Sequence, residues 1–276
     1  MLAMSRIEEG CTVLILTESG KKYLVAVRRG KKFHSSEGYI DLGELVGREY
    51  GCVVRSNTGV RMTAHKPLLQ DLLSKVRRIT QIVYPKDLGY MVLISGIGPG
   101  SVVLEAGTGT GVLTATLAYY VRPTGRVFSY DINQEYLEAA HYTLERLGLR
   151  EYVELKHGDV YSEVSEKDVD AVFLDVPEPW KAVGNAWKAL KPSGRLLSLS
   201  PTIEQVVETV ENLRVGGFDD ISCVEILVRD IRVKRGMTRP EFLMRGHTAY
   251  IVSARKSEIN SRHITDDTWN ENISPT

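Results

Sequence analysis

The stretch DVPEPW, Asp175 to Trp180, carries two carboxylates, two prolines and an indole directly after the apolar run AVFL at 171–174. One interpretation is structural, because an aspartate followed by proline and glutamate is an ordinary start of a helix. The other interpretation is that the prolines restrict the backbone of a loop that holds a carboxylate for chemistry. The residues at the other strand ends help to decide between the two.

A glycine-rich loop in VVLEAGTGTGVLTATLA places Gly107, Gly109 and Gly111 between a predicted strand and a predicted helix. Glycines let a ligand approach the backbone and the helix N-terminus, although GxGxG alone also fits a tight turn that binds nothing. Val112 stands where a dinucleotide motif needs its third glycine, and Glu105 precedes the loop. A carboxylate there would repel a pyrophosphate, whereas it favours the cationic sulfonium and amino group of S-adenosylmethionine.

Two further acids follow later strands. Asp131 ends the second strand in VFSYDIN, where it can accept both ribose hydroxyls, and Asp159 follows the third strand in HGDV, where it can reach an adenine edge. Each acid alone also fits a helix or loop cap. Because parallel strand ends meet at one edge of a sheet, these acids and Glu105 predict one S-adenosylmethionine site. Asp175, at the fourth strand end beside the first strand, would face the methyl group.

Alternating strands and helices must position these acids. From Ser101 onward the two patterns alternate about every 20 to 25 residues, which is typical of βαβ units on a parallel sheet. The last two strands flank a charged loop, RDIRVKRGMTRPEFLMRGH, that is too short for a crossover helix, so we expect the final strand to be antiparallel. The predicted strands are 101–106, 126–130, 152–156, 170–175, 195–200, 221–229 and 248–254.

The beginning of the chain has a different pattern. Short β-rich runs at 12–16 and 23–27 flank ESGKK, and runs at 52–55 and 60–64 flank SNTG, which is typical of hairpins. After Pro67 the periodicity becomes helical. The predicted organisation is a small β domain at 1–66, a catalytic domain at 67–256 and a flexible polar tail at 257–276.

The composition limits the class of protein and its location. Lys+Arg and Asp+Glu are both 35, so net charge neither favours nor excludes a nucleic-acid partner. The N-terminus lacks the pattern of a signal peptide, and no apolar run approaches the roughly 20 residues that span a bilayer. Cys11, Cys52 and Cys223 form no CxxC pair, and the six histidines show no HxH or HExxH spacing. We therefore expect a cytoplasmic protein without a membrane span or a metal site.

Four segments together resemble the tRNA (adenine-58-N1)-methyltransferase family in its single-gene bacterial and archaeal form. They are EAGTGTGVLT, DVPEPW, YPKD at 84–87 and TRPEFLMRGHT at 238–248, and the resemblance covers residues 1–256. It implies a class I methyltransferase fold, which is a Rossmann-like, doubly wound, seven-stranded α/β sheet with a small N-terminal all-β domain. It also implies a homotetramer that methylates N1 of adenine 58 in the T-loop of tRNA, with the neighbouring position 57 left open.

The resemblance assigns roles to individual residues. The residues that it places around S-adenosylmethionine are Gly107 to Gly111, Val112, Leu113 and Thr114 at the methionine part, Asp131 at the ribose and Asp159 at the adenine. Asp175 would hold the target base. Tyr84 and Trp180 are candidates to flank a base taken out of its stack, with ordinary core packing as the alternative. The family often has Ser in place of Thr110 and Leu in place of Val176, and both departures are conservative.

The chemistry of methyl transfer explains why a carboxylate at Asp175 is useful. Transfer from a sulfonium is an in-line displacement, so catalysis consists largely of aligning N1 with the methyl carbon and stabilising the charge that develops on the base. A carboxylate that accepts a hydrogen bond from the exocyclic N6 binds more strongly in the transition state than in the ground state. Asp175 is therefore the predicted catalytic residue, with Tyr84 beside the base.

Two clusters of basic residues are candidates for contacts to the tRNA backbone, because phosphate contacts dominate nucleic-acid affinity. A solvated charged surface is the alternative for both clusters. The residues are Arg28, Arg29, Lys31 and Lys32, and Arg232, Lys234, Arg235 and Arg239.

Two other functions share parts of the pattern. A methyltransferase for proteins or small molecules, of the isoaspartyl or precorrin type, would share ExGxGxG but should lack an acid followed by PEPW. A non-catalytic subunit that keeps the fold and binds tRNA would have no need for Glu105, Asp131, Asp159 and Asp175 together. The sequence therefore favours the tRNA methyltransferase.

Overall fold

The computed structural model describes residues 6–76 and 79–257. The chain divides into two compact units, Met1–Arg77 and Arg78–Thr276. Apart from Ser257, the polar tail predicted from residue 257 onward lies outside the described residues, so its flexibility stays a prediction.

The first unit is an antiparallel β structure with strand order β2-β1-β6-β5 and a separate β3–β4 hairpin. Its elements are β1 (Thr12–Thr17), β2 (Lys22–Ala26), β3 (Lys32–Ser35), β4 (Gly38–Asp41), β5 (Cys52–Arg55), β6 (Arg61–His65) and the short helix α1 (Leu69–Leu73). The two predicted hairpins are present as β1–β2 and β5–β6. Val13, Ile15, Met62 and Ala64 alternate with more exposed neighbours and form part of its core.

The first unit extends beyond the predicted boundary at residue 66, because it includes α1. Lys22 Nζ on β2 lies 3.6 Å from Asp71 Oδ1 on α1, and this ion pair attaches the helix to the sheet. A helical period in the sequence does not reveal which unit a helix belongs to. The β3–β4 hairpin was also not predicted, because exposed polar residues such as Lys32 and His34 interrupt any apolar run.

The second unit contains a seven-stranded sheet and the remaining helices. Its strands are β7 (Val102–Ala106), β8 (Arg126–Asp131), β9 (Val153–His157), β10 (Val169–Leu174), β11 (Leu190–Ser200), β12 (Phe218–Glu225), β13 (Ile231–Arg232), β14 (Arg239–Pro240) and β15 (Tyr250–Lys256). Its helices are α2 (Pro85–Ser95), α3 (Val112–Val121), α4 (Gln134–Leu147), α5 (Val183–Ala189) and α6 (Ile203–Val215). The predicted α/β class is confirmed.

The strand order of this sheet is β12-β15-β11-β10-β7-β8-β9. The strands from β11 to β9 are parallel, whereas β15 is antiparallel to both β11 and β12, as predicted. The chain winds outward in opposite directions from β7 and from β10, so a crevice opens at the carboxyl ends of these two neighbours. Residues 226–229, predicted to continue β12, lie outside that strand, and β13 and β14 form a separate small hairpin.

The apolar run before DVPEPW forms the centre of the sheet. Val172, Phe173 and Leu174 on β10 and Leu104 on β7 are completely buried. Successive side chains of a strand point to opposite faces, so both faces of β10 are covered. This is the arrangement expected for an inner parallel strand and explains why the run does not alternate with polar residues.

In the described part of the chain, no helix has both the length and the apolar character needed to cross a membrane. Within the same residues, no three side chains of His, Cys, Asp or Glu are grouped so that they could hold a metal ion.

Helices α3 and α4 approach each other closely at Gly111, which stands directly before α3. Gly111 has a φ of +81°, and a Cβ atom here would lie 3.0 Å from both Cα and Cβ of Ala140 on α4. This predicted cofactor residue therefore has a clear packing role. Its absent side chain brings α4 against the start of α3.

We expect Gly111→Ala to lower the free energy of unfolding. The left-handed backbone costs about 1–2 kcal/mol, and the displacement of Ala140 adds a further loss of stability. Gly148→Ala is the matched control, since Gly148 also has a positive φ of +65° but has no atom within 4 Å of a Cβ position. Urea unfolding of both variants measures the difference. Equal losses would contradict the close approach of the two helices.

Candidate active site

A cavity of about 560 Å³ opens at the carboxyl ends of β7, β8, β9 and β10. Its walls consist of residues 80–83, 107–110, 112–113, 130–133, 136, 158–161 and 175–178. The predicted site residues that lie in these walls are Gly107, Gly109, Val112, Leu113, Asp131, Asp159 and Asp175. Four consecutive strand ends thus contribute to one cavity, as the spacing of the acids predicts.

Gly107 brings the glycine loop into direct contact with the DVPEPW loop. Its φ is +91°, and a Cβ atom at this position would lie 2.0 Å from the carbonyl oxygen of Asp175. The backbone N–H of Asp175 also donates to the carbonyl oxygen of Ala106, at 2.9 Å. Only glycine allows this approach, so the two loops depend on each other for their position.

Asp131 is oriented by two backbone donors. Its Oδ2 accepts from the N–H of Gly109 at 3.0 Å, and its Oδ1 accepts from the N–H of Asn133 at 2.9 Å. Each carboxylate oxygen has a second lone pair, so Asp131 retains two acceptor positions for hydroxyl groups of a ligand.

Asp159 is exposed, and its Oδ1 accepts from the backbone N–H of Tyr161 at 2.9 Å. The hydroxyl of Tyr161 in turn accepts from the backbone N–H of Glu178 at 3.0 Å. On the other side, Gln205 Nε2 donates to the carbonyl oxygen of Pro177 at 2.8 Å. The DVPEPW loop is therefore held by two side chains as well as by its prolines.

Asp175 does not start a helix. The 3-10 helix after it begins at Pro179, and Glu178 occupies the N-cap position. The partly exposed Asp175 carboxyl lies in the cavity wall, where desolvation by burial raises its pKa from 3.8 to about 6. A carboxyl with this pKa is still mainly ionised at neutral pH.

Glu105 is completely buried at the end of β7 and does not line the cavity. Among the residues that the structure describes, neither of its carboxyl oxygens has a hydrogen-bond partner, and the buried hydroxyl of Thr114 has none either. The pKa of Glu105 is raised from 4.5 to about 8, mainly by desolvation on burial; the Thr114 and Ser129 hydroxyls partly oppose this rise, and the carboxylates of Asp175 and Asp131 add to it. The side chain is therefore largely protonated at neutral pH.

Two predicted aromatic residues lie outside the cavity walls. Tyr84 stands directly before α2, where its hydroxyl accepts from Gln81 Nε2 at 3.4 Å. Gln81 itself lines the cavity, so Tyr84 lies next to the wall. Trp180 is partly buried in the 3-10 helix Pro179–Ala182.

Sequence reasoning missed the wall formed by residues 80–83. The hydroxyl oxygens of Thr80 and Thr110 lie 2.7 Å apart, and each of these oxygens also accepts the backbone N–H of the other threonine. No motif marks TQIV, so only the fold reveals this contact. Ile132 was missed as well; it lines the cavity directly after Asp131, and its side chain, which is 71% exposed, offers an apolar surface to a ligand.

The sheet order, the glycine loop and the acids at successive strand ends define a Rossmann-like class I methyltransferase, the class of S-adenosylmethionine-dependent enzymes. The family model described as "tRNA methyltransferase complex GCD14 subunit" matches residues 70–239. The tRNA (adenine(57)-N(1)/adenine(58)-N(1))-methyltransferase TrmI of Methanocaldococcus jannaschii is 37% identical over 268 residues, which cover 88% of this chain and 94% of that protein. The chain belongs to the tRNA (adenine-N1)-methyltransferase family, and the resemblance noted in its sequence is confirmed.

Two solved structures are similar over nearly the whole chain. The tRNA (m1A58) methyltransferase TrmI of Aquifex aeolicus has a TM-score of 0.78 and 29% identity, and the match covers 92% of this chain and 100% of that one. An S-adenosylmethionine-dependent O-methyltransferase of Thermotoga maritima has a TM-score of 0.85 and 36% identity, with coverage of 92% and 95%. Both comparisons include the small N-terminal β unit as well as the sheet with the cavity.

The raised pKa of Glu105 makes stability depend on pH. The folded protein holds this proton more tightly than the unfolded chain does, because the pKa rises from 4.5 to about 8. The resulting stability is fully present below about pH 4.5 and is lost as the pH rises to about 8.

We expect Glu105→Gln, which introduces a neutral side chain of the same shape, to abolish this pH-dependent loss of stability. The wild-type protein should lose stability relative to the variant between about pH 5 and 8, by on the order of a few kcal/mol without ligand. Glu138→Gln, an exposed position on α4, is the control and should follow the wild type. Thermal unfolding across this pH range gives the comparison. Parallel curves for wild type and Glu105→Gln would show that Glu105 is ionised in the folded protein.

Proposed function

We propose that this chain transfers the methyl group of S-adenosylmethionine to N1 of adenine 58 in the T-loop of tRNA. The observation that carries the proposal is the carboxyl of Asp175 in the cavity wall, held there by the contact of its loop with Gly107. Membership of the tRNA (adenine-N1)-methyltransferase family supports the substrate class. Nucleoside mapping decides whether the neighbouring position 57 is methylated too.

The residues of the cavity fit S-adenosylmethionine. The buried carboxyl of Glu105 and the hydroxyl of Thr114 lack partners among the described residues, and a ligand cation nearby would favour the ionised carboxylate. The two free acceptor positions of Asp131 suit the ribose hydroxyls, and the exposed side chain of Ile132 suits a flat adenine. The volume of about 560 Å³ lies within the range of small-molecule sites. Asp159 would accept from the adenine amino group.

When bound, S-adenosylmethionine supplies a methyl group on a positively charged sulfur. Asp175 accepts a hydrogen bond from the exocyclic N6 of the target base and thereby orients N1 for in-line attack. No base is needed to activate N1, because the attacking nitrogen carries a lone pair and no proton. As positive charge develops on the ring, the hydrogen bond from N6 to the carboxylate strengthens, which lowers the barrier.

The base must leave its stack in the folded tRNA to reach the cavity. Tyr84 is the aromatic residue proposed to lie beside the extruded base, and its contact with Gln81 in the cavity wall supports this role. For Trp180 the role beside the base stays a prediction.

The similar structure from Thermotoga maritima is that of an O-methyltransferase, which favours a second candidate function, transfer to an oxygen acceptor. The two functions differ in their product. Incubation with labelled S-adenosylmethionine and unmodified tRNA, followed by nucleoside mapping, yields N1-methyladenosine at position 58 if the proposal is correct. Label on a ribose hydroxyl, or no label in tRNA, would overturn it.

The proposal includes a homotetramer in the cytoplasm. The hairpin region between β12 and β15 exposes large apolar side chains, among them Val233, Phe242 and Leu243, which supports an interface between copies. Three free cysteines, Cys11, Cys52 and Cys223, agree with a reducing compartment. Sedimentation measures the number of copies directly.

We expect Asp175→Asn to lower single-turnover methylation by about two orders of magnitude or more, because the variant keeps the shape of the side chain and loses its charge. Binding of S-adenosylmethionine should persist, since Asp131 and the glycine loop remain intact. Calorimetry and thermal unfolding on the same preparation separate a lost catalytic group from a damaged fold. A near-normal rate would exclude Asp175 as the catalytic carboxylate.

The basic residues at 28–32 are the proposed tRNA platform of the small β domain. Arg29 Nε lies 3.3 Å from Glu9 Oε2, and Lys32 Nζ lies 4.3 Å from the centre of the Tyr39 ring. Arg28 and Lys31 are exposed and have no ion pair among the described residues. Charge reversal at these two residues therefore tests the tRNA contact without breaking an ion pair.

We expect the double change Arg28→Glu and Lys31→Glu to weaken tRNA binding and to flatten the slope of log affinity against log salt by about 0.7–0.9 per lost phosphate contact. Lys21→Glu is the control, because Lys21 Nζ already lies 3.8 Å from Glu37 Oε1. Filter binding at several salt concentrations measures the slope. An unchanged slope would show that these residues are solvated surface charges that do not contact tRNA.

A further inference from the structure

The segment Arg245–Thr248 brings the chain from the β13–β14 hairpin back to β15. Three of its side chains attach it to the rest of the second unit. Arg245 lies over the ring of Tyr84, with 4.4 Å from its Cζ to the ring centre. His247 lies between Glu225 and Pro201. Thr248 contacts the start of α2. The conspicuous motifs YPKD and TRPEFLMRGHT therefore meet in the fold.

The contact of Thr248 is a closed network with a buried ion pair. Lys86 Nζ lies 2.7 Å from Asp87 Oδ1 and donates to Thr248 Oγ1 at 2.6 Å, while Thr248 Oγ1 donates to Asp87 Oδ2 at 2.9 Å. The side chains of Lys86 and Asp87 are only 12% and 2% exposed. A buried charge pair requires its remaining donors and acceptors to be satisfied, so Thr248 is held in one position.

His247 forms a second attachment. Its Nδ1 lies 2.6 Å from Glu225 Oε1 and its Nε2 lies 2.8 Å from the carbonyl oxygen of Pro201. Both partners are acceptors when Glu225 is ionised, so a ring that donates from both nitrogens satisfies them, and these two contacts raise the pKa of His247. The ring also packs on Tyr250, with 4.8 Å between ring centres. The backbone on the C-terminal side of Arg245 is thus fixed at two consecutive residues.

Arg245 itself is exposed and has no carboxylate partner among the described residues. One face of its guanidinium covers Tyr84, whose hydroxyl contacts Gln81 in the cavity wall. A planar cation in this position offers a second face for stacking and free N–H groups for a phosphate. Such a pair beside a cavity is suited to a nucleotide.

We propose that Arg245 binds the target nucleotide at the mouth of the cavity, with the adenine stacked on the guanidinium and its phosphate on the free N–H groups. The network of Lys86, Asp87 and Thr248 positions Arg245 for this contact, so Asp87 and Thr248 are positioning residues. The inference rests on the proposed function, because it takes a tRNA adenosine as the substrate.

The test compares two pairs of variants in steady-state methylation of tRNA. Arg245→Lys keeps the charge and loses the plane, and we expect it to raise KM for tRNA about tenfold, as the loss of one stacking partner does. Arg122→Lys is its matched control, because the exposed Arg122 also lies over a tyrosine ring, with 3.9 Å from its Cζ to the ring centre of Tyr119, and belongs to neither basic cluster. Its KM should remain that of the wild type.

The second pair addresses positioning. Thr248→Val preserves the shape of the side chain and removes the hydroxyl, so KM for tRNA should rise several-fold, whereas Thr248→Ser keeps the hydroxyl and should remain near wild type. The Kd for S-adenosylmethionine should be unchanged in all variants, which a general loss of structure would not permit. Because Arg245 is exposed, we expect Arg245→Lys to fold. This variant therefore decides the proposal even if Thr248→Val fails to fold.

An unchanged KM for tRNA in Arg245→Lys, measured while the wild type methylates tRNA, would overturn this inference and leave the proposed function intact. A rise in KM of equal size in Arg122→Lys would overturn it as well, because the effect would then follow from exchanging any exposed arginine that lies over a tyrosine ring. A wild-type protein that does not methylate tRNA would contradict the proposed function itself, and the inference with it.

Discussion

The contact between Gly107 and the carbonyl oxygen of Asp175 is the constraint on which the site depends. The strands β7 and β10 are neighbours, and their loops touch so closely that a Cβ atom at residue 107 would lie 2.0 Å from that oxygen. The loop that would hold S-adenosylmethionine and the loop that carries the proposed catalytic carboxyl are therefore in direct backbone contact. This contact fixes the backbone of Asp175 relative to the glycine loop, and a carboxyl carried on a fixed backbone would need less reorganisation during methyl transfer.

The charges around this contact depend on burial. Glu105, Asp131 and Asp175 lie near one another, and the buried carboxyl of Glu105 has no hydrogen-bond partner among the described residues. Desolvation by burial raises the pKa values of Glu105 and Asp175, and the carboxylates of Asp175 and Asp131 contribute to the rise at Glu105. A cation that binds here favours the ionised carboxyls and releases protons. The buried carboxyls that are costly to ionise in the ligand-free protein therefore favour a sulfonium ligand over a neutral or anionic one.

Much of the fold and the position of the acids followed from local patterns. The apolar run of β10 and the acids after β8 and β9 are visible in the sequence because strand ends and loop chemistry occur within a few residues of each other. The burial of Glu105, the wall at 80–83 and the packing of Gly111 on Ala140 depend on residues distant in the chain. No local pattern carries that information. The helix-cap interpretation of Asp175 was likewise decided only by the observed start of the next helix at Pro179.

The contact between the two remaining motifs extends this argument. In YPKD and TRPEFLMRGHT no side chain reaches the cavity directly, yet Thr248 meets Lys86 and Asp87, and Arg245 meets Tyr84. The ion pair of Lys86 and Asp87 is costly to bury and is satisfied only when Thr248 completes it. Because the network needs Thr248, the chain must return from the β13–β14 hairpin to β15 at this place, next to the wall formed by residues 80–83. The region beyond β12 is tied to α2 by these contacts, which explains how residues more than 150 positions apart in the chain come together beside the cavity.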